Sequence, residues 1–113
     1  MLFRSQYRTR GAYYLFTRND QKAIEEFTAL TKQFPADDAG RINLTLAYFY
    51  SRDFKRAIEE GQRLIEQNKK NVLYRSNVAL YAMYAGQFDE AIRGAAEAIK
   101  LSPSASRDRK SVV

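Results

Sequence analysis

Ala23-Ile24-Glu25-Glu26-Phe27, Ala57-Ile58-Glu59-Glu60-Gly61 and Ala91-Ile92-Arg93-Gly94-Ala95 stand 34 residues apart along the chain. The same register extends outward from these segments. Upstream, Arg41-Ile42-Asn43-Leu44-Thr45-Leu46 recurs as Arg75-Ser76-Asn77-Val78-Ala79-Leu80. Tyr50 matches Tyr84, Phe54 matches Phe88, and Pro35 and Pro103 lie two periods apart with Lys69 midway. A supersecondary unit that recurs at a fixed period buries its apolar face only by stacking on its neighbours. The chain is therefore expected to be a short solenoid.

Within each unit the apolar residues keep helical spacing. In the second, Leu44, Ala47 and Tyr48 form one run and Phe54, Ala57, Ile58, Leu64 and Ile65 another, broken near Ser51-Arg52-Asp53. Each unit then reads as two antiparallel helices joined by a short polar turn. The fold class is all-α, with six helices expected at roughly residues 6–17, 21–33, 39–51, 54–67, 72–85 and 88–100. Pro35 and Pro103 follow the second helix of their units, where a missing N–H and a fixed φ end a helix. Ala23, Ala57, Ala91, Ala95 and Ala98 are small enough for helix backbones to approach closely, and Phe27, Phe54 and Phe88 are expected to fill the gaps beside them. Gly86 falls where the third unit must turn, whereas Gly61 and Gly94 read as close helix packing.

These residues together resemble the tetratricopeptide repeat family, whose pattern sets Trp, Leu-Gly, Tyr, Ala, Phe and Pro at fixed offsets over about 34 residues. The first unit carries Tyr7 at the Trp place, then Gly11, Tyr14, Ala23, Phe27, Leu30 and Pro35. The second carries Leu44, Tyr48, Phe54, Ala57 and Leu64, but Arg41 replaces the aromatic, Thr45 the glycine, Gly61 the later aromatic and Lys69 the proline. The third carries Val78, Ala79, Phe88, Ala91, Ala98 and Pro103, again with Arg75 in the aromatic place. The resemblance covers roughly residues 6–105 and divides them into repeats at 6–37, 38–71 and 72–105.

The family resemblance implies a right-handed superhelix whose first helices line a concave groove. Its groove-facing positions correspond to Arg8, Ala12, Leu15 and Phe16 in the first unit, Ile42, Leu46, Phe49 and Tyr50 in the second, and Ser76, Leu80, Met83 and Tyr84 in the third. Phe16, Tyr50 and Tyr84 make a ladder one period apart. Residues 71–86 are also similar to repeat regions that follow the catalytic domain of bacterial serine/threonine protein kinases. The chain itself has no glycine-rich nucleotide loop, His-Arg-Asp or Asp-Phe-Gly.

Composition narrows the function classes. At 113 residues and 45% hydrophobic, the chain suits one domain with a modest core. The absence of cysteine removes disulfides and thiolate metal sites, and the absence of histidine removes the commonest general base and metal ligand. Glu25-Glu26 and Glu59-Glu60 are adjacent carboxylates, but consecutive helical residues point about 100° apart, so both pairs are expected on solvated helix surface. No catalytic residue, metal, cofactor or small-molecule substrate is therefore expected. No apolar run reaches the length of a membrane-spanning helix, and the N-terminus lacks a signal-peptide core, so a soluble segment with a cytoplasmic location is favoured.

The net charge of +6 is mixed rather than striped. Arg52, Lys55 and Arg56 lie beside Asp53, Glu59 and Glu60, which suggests i, i+4 pairs of Lys55 with Glu59 and Arg56 with Glu60. Nucleic acid is accordingly the least favoured partner, with salt-sensitive binding as its signature.

Both ends back-translate into sequencing-adapter sequence. Residues 1–5 are what GTG CTC TTC CGA TCT encodes when GTG acts as the start, and residues 108–113 are what GAT CGG AAG AGC GTC GTG encodes, after which the adapter reads TAG. The expectation is that residues 6 to about 107 are an internal piece of a longer protein, with 106–113 a disordered tail. Removing Arg4, Asp108, Arg109 and Lys110 lowers the charge from +6 to +4. The terminal Ser111-Val112-Val113, which resembles a ligand for strand-adding carboxylate-capturing domains, and the basic run 107–110 then carry no functional weight.

Two roles compete for the aromatic ladder: packing between repeats, and an apolar groove for an extended or helical peptide. Recognition of a C-terminal carboxylate is disfavoured, because Leu46 and Leu80 occupy positions that such clamps fill with polar side chains and the nearby lysines are missing. Asn43 and Asn77 match a frequent asparagine position and are expected to bond backbone between repeats. The leading function is a protein-interaction scaffold, the alternative a regulatory or recruiting segment of a larger bacterial enzyme such as a kinase. Nothing after Pro103 forms a cap, so the faces around Ala91, Ile92, Ala95, Ala98 and Ile99 are expected to be exposed and to drive self-association or low stability. The gene's nucleotide sequence tests the reading of the ends: the adapter codons are expected at both, and different codons contradict it.

Overall fold

Arg18, Arg52 and Gly86, spaced by one period, take left-handed φ values of 61°, 67° and 81°. Each ends the first helix of its unit. The next residue, Asn19, Asp53 or Gln87, donates its N–H to the carbonyl five residues back, on Tyr14, Tyr48 or Ala82, at 2.8, 2.8 and 2.9 Å. This is the Schellman stop, which satisfies carbonyls the helix would otherwise leave bare. The same residue opens the second helix. Asn19 and Asp53 accept from the N–H of Lys22 and Arg56 at 3.4 and 3.2 Å, whereas Gln87 makes no side-chain cap.

The computed structural model describes residues 3–102, which fold into six helices with no strand among the described residues. They are α1 (Arg4–Phe16), α2 (Asp20–Gln33), α3 (Asp38–Tyr50), α4 (Phe54–Gln67), α5 (Val72–Tyr84) and α6 (Phe88–Leu101). The boundaries agree with the sequence reading to within two residues. The first helix starts earlier than expected, at Arg4, because the Gln6 side chain accepts from the Phe3 N–H at 2.7 Å and the Arg4 guanidinium lies 5.0 Å from the Phe34 ring centre. At the turns between repeats, Asp37 and Asn71 cap α3 and α5 by accepting from the N–H of Gly40 and Tyr74 at 3.1 and 3.0 Å. Helix α2 ends at Gln33, two residues before Pro35, since the residue preceding a proline avoids helical ψ. Pro103 and the expected tail 106–113 lie outside the described residues.

The helices stack into an elongated body of 47 × 27 × 27 Å. Ala23, Phe27 and Leu30 of α2 are fully buried between α1 and α3. Two glycines permit that packing. A Cβ on Gly11 would stand 2.6 Å from the Phe27 ring, and one on Gly40 would stand 2.6 Å from Leu30. In the second repeat the Gly11 and Phe27 positions hold Thr45 and Gly61, and the missing bulk arrives from α5. Val78 rests on Gly61, and the Tyr81 hydroxyl lies 3.2 Å from Thr45 Oγ1. In the third repeat these positions hold Ala79 and Ala95, and Ala98 is the only buried residue of α6.

Several expectations are corrected here. Phe88 fills no gap and is 63% exposed, because no helix lies over it as α5 lies over Phe54. Of the paired carboxylates, Glu25 and Glu59 are exposed, but Glu26 and Glu60 turn toward the first helices and bind Arg10 and Arg41. Arg56 pairs with Asp53 instead of Glu60, whose carboxylate is already shared by Arg41 and Arg63. Arg41, standing in the aromatic place, is buried together with that partner.

The turn geometry makes a stability prediction. A side chain in the left-handed region costs about 1 kcal/mol, which glycine avoids. Arg18→Gly and Arg52→Gly are expected to raise unfolding free energy by about 0.5–1 kcal/mol each, and Gly86→Ala to lower it by about 1 kcal/mol. Urea melts check this, and loss of stability in either arginine variant contradicts it.

Candidate partner-binding groove

The groove positions all lie on first helices, but their surroundings differ. On α1, Leu15 is half-buried and Phe16 is 88% exposed. Arg8 is not free, since its guanidinium donates to Asp37 at 2.7 Å. On α3, Ile42 and Leu46 are half-buried. Phe49 sits in an aromatic cluster, its ring centre 5.6 Å from Phe54, 5.1 Å from Tyr81 and 5.1 Å from Tyr84. Tyr50 is 42% exposed, with the Arg18 guanidinium 5.1 Å from its ring centre. On α5, Ser76, Leu80, Met83 and Tyr84 are all exposed.

The ladder is therefore packed on one side and exposed on the other. The Tyr84 ring packs against Phe49 and Phe54 and leaves its other side in solvent at 57% exposure. Phe16, at the opposite end, has no neighbouring repeat on its outer side among the described residues.

Three groove positions, Ser76, Leu80 and Met83, also border an apolar trough of about 580 Å³ between α5 and α6. The other groove positions do not line it. Ile92 and Ile99, 69% and 59% exposed, form its α6 wall, as expected for an uncapped repeat. Ala98 departs from that expectation: it is buried and forms part of the trough lining. The trough's depth was not foreseen, although the alignment of Ala79 and Ala95 with Gly11 and Phe27 carries the signal. Both small residues line the trough, and none of the described residues fills the space above them.

Between neighbouring helix pairs, Arg8 of α1 donates to Asp37 at the cap of α3, the Thr45 hydroxyl lies 3.2 Å from the Tyr81 hydroxyl, and Arg75 donates to the Lys69 carbonyl at 2.7 and 2.9 Å, whereas Asn68 donates to Asp38 at 3.0 Å within the second repeat. Asn43 and Asn77, expected in this role, are half-buried and not among these bonds. Asp37, Thr45 and Arg75 make the bonds between helix pairs instead. Burial pushes the Tyr81 phenol above its ordinary pKa, against the opposing effect of the Thr45 hydrogen bond. Burial also raises Tyr74, with the Asp38 carboxylate adding to the shift. No helix among the described residues is long and apolar enough to cross a membrane.

Three stacked pairs of antiparallel helices, each pair's groove side formed by its first helix, define a tetratricopeptide-like solenoid. No protein-family model and no curated protein matches the chain. Among solved structures it is similar to the TPR2B domain of yeast Sti1 in complex with pHsp70, with a TM-score of 0.80 and 19% identity over 92% of this chain and 83% of that one. It is similar to the first TPR of Spaghetti (RPAP3) bound to the HSP90 peptide SRMEEVD, at 0.79 and 18% over 88% and 79%. MamA gives 0.82 and 17% over 92% and 61%. At such identities the likeness is one of fold.

Tyr81 makes the inter-repeat contact testable. Tyr81→Phe removes the bond to Thr45 and is expected to cost about 1 kcal/mol. The unfolded phenol ionises near about pH 10 while the folded one stays protonated, so wild-type stability is full below that pH and is lost as pH rises through the folded pKa. Tyr81→Phe is expected to flatten this alkaline loss, leaving the part due to Tyr74. An unchanged slope contradicts the burial of Tyr81.

Proposed function

We propose that the chain is a protein-interaction scaffold that takes an apolar peptide or a partner helix along the concave face of α1, α3 and α5. The observation that carries this reading is the exposure of Phe16, Tyr50 and Tyr84, at 88%, 42% and 57%, one repeat apart on successive helices. Apolar surface left in water costs about 25 cal/mol per Å², and a row of it on rigid helices suits a ligand that presents side chains at intervals. A chain with no histidine or cysteine has neither an imidazole base nor a thiolate to offer, which supports binding rather than catalysis.

Two of the similar structures hold peptide partners, pHsp70 and an HSP90 peptide, which supports peptide binding as the mode. The chemistry of this groove favours a different ligand class. Arg8 is committed to Asp37, and Leu46 and Leu80 occupy the middle of the face, so aromatic and aliphatic side chains suit it better than an acidic terminus. Within the same reading, the similarity of residues 71–86 to kinase-associated repeats favours service as the recruiting segment of a larger bacterial enzyme. A kinase domain beside this segment in the gene supports that refinement, and further repeats alone oppose it.

Selection from a random peptide library against the immobilised chain is expected to return ligands rich in Phe, Tyr and Leu. Combining Phe16→Ala with Tyr50→Ala is expected to weaken them about tenfold, or about 1.4 kcal/mol. The melting temperature of that variant is expected to change by only a few degrees. Unaltered affinity with a lowered melting temperature assigns the ladder to packing and contradicts the proposal.

A further inference from the structure

The junction between the second and third repeats shows what the open trough is shaped to receive. Three residues of α5 enter the preceding repeat. Val78 rests on Gly61. Tyr81 packs 5.1 Å from Phe49 with its hydroxyl 3.2 Å from Thr45, and Tyr84 meets Phe49 and Phe54 at 5.1 and 6.0 Å. One period further on, the receiving positions Thr45, Phe49, Phe54 and Gly61 become Ala79, Met83, Phe88 and Ala95, and all four line the trough. The trough is the same socket without its helix.

A matching plug stands at the other end of the molecule. Two periods before Val78, Tyr81 and Tyr84 lie Arg10, Tyr13 and Phe16 of α1. No earlier helix pair covers that side of α1 among the described residues, and Tyr13 and Phe16 are 63% and 88% exposed. The aromatic pair at i and i+3 that α5 packs against the second repeat, Tyr81 buried and Tyr84 in contact on one side, is thus repeated on α1 without a partner among the described residues.

The geometry points to head-to-tail association, in which α1 of a second copy seats in the α5/α6 trough and continues the solenoid across the junction. Tyr13 of the incoming helix enters between Ala79 and Met83, and its Phe16 lies against Met83 and Phe88. Arg10 takes the place of Val78. Its guanidinium is held 2.8 Å from Glu26 of its own chain, so the methylene stem is what meets Ala95. Such an interface uses different surfaces on the two copies and is open-ended. Two troughs facing each other would bring hollow to hollow and supply no knob. Phe16 and Met83 are shared with the groove positions, whereas Tyr13 and Ile92, on which the test turns, lie outside them.

Sedimentation velocity on the whole 113-residue chain over a concentration series tests it. The mean mass is expected to rise progressively with concentration for the wild type. Tyr13→Glu and Ile92→Glu, both at exposed positions, are each expected to be monomeric throughout while keeping the wild-type helical circular dichroism. Tyr13→Ser repeats the test without a new charge. An equimolar mixture of Tyr13→Glu and Ile92→Glu retains one intact plug and one intact socket, so it is expected to form a one-to-one dimer and nothing larger. A monomeric wild type, a mixture that stays monomeric, or a Tyr13→Glu protein that still associates overturns the proposal; the last result assigns association to symmetric pairing of α6 faces.

Discussion

Each helix pair in this protein presents an apolar face that the first helix of the next pair must cover. The rest of the structure follows from that constraint. Where α3 covers α2, Ala23, Phe27 and Leu30 are sealed from solvent. Where α5 covers α3 and α4, it brings in Val78 and Tyr81, which replace bulk that the second repeat lacks at Gly61. Beyond α6 none of the described residues supplies the cover, and Phe88, Ile92 and Ile99 are exposed. Stability in such a stack is close to a sum of repeat terms and nearest-neighbour interfaces, so it should decline toward the uncovered end.

The same stacking produces the proposed binding surface. Successive first helices set Phe16, Tyr50 and Tyr84 along one face at a common interval, and the interval is imposed by the repeat rather than by any ligand. The ladder is graded as a result. Tyr84 is partly engaged by Phe49 and Phe54, Tyr50 carries only the Arg18 guanidinium and its neighbour Phe49, and Phe16 is open. The most exposed rung is therefore the one whose loss should disturb the core least. Charge contributes little to this face, since Arg8 is held by Asp37 and Arg41 by Glu60.

Much of the fold was legible because turn chemistry and apolar spacing repeat together. Ala23, Ala57 and Ala91 fixed the register, and Asn19 and Asp53 cap helices where the polar turns were read. Left-handed backbone at Arg18 and Arg52 was not legible, because neither residue type favours it; only Gly86, at the same repeat position, hints at it. Nor was the binding of Glu26 and Glu60 to arginines, since periodicity locates a helix face without saying which charge on the facing helix reaches it. The candidate groove positions, taken from family resemblance, lie on α1, α3 and α5. Their division into packed and open residues depends on how far the next helix overlaps each one, which no single repeat encodes. Phe88 shows this most plainly: it shares its repeat position with Phe54, and only the presence or absence of a covering helix separates a packed ring from an exposed one.

Amide hydrogen exchange, resolved by residue in dilute solution where the chain is monomeric, reads the central constraint most directly. Slowest exchange is predicted in α2 and α3, whose apolar residues are enclosed on both sides, and fastest exchange in α6, where only Ala98 is buried. Uniform protection across the six helices, or α6 among the slowest, would contradict the view that each repeat is held by the one that follows it.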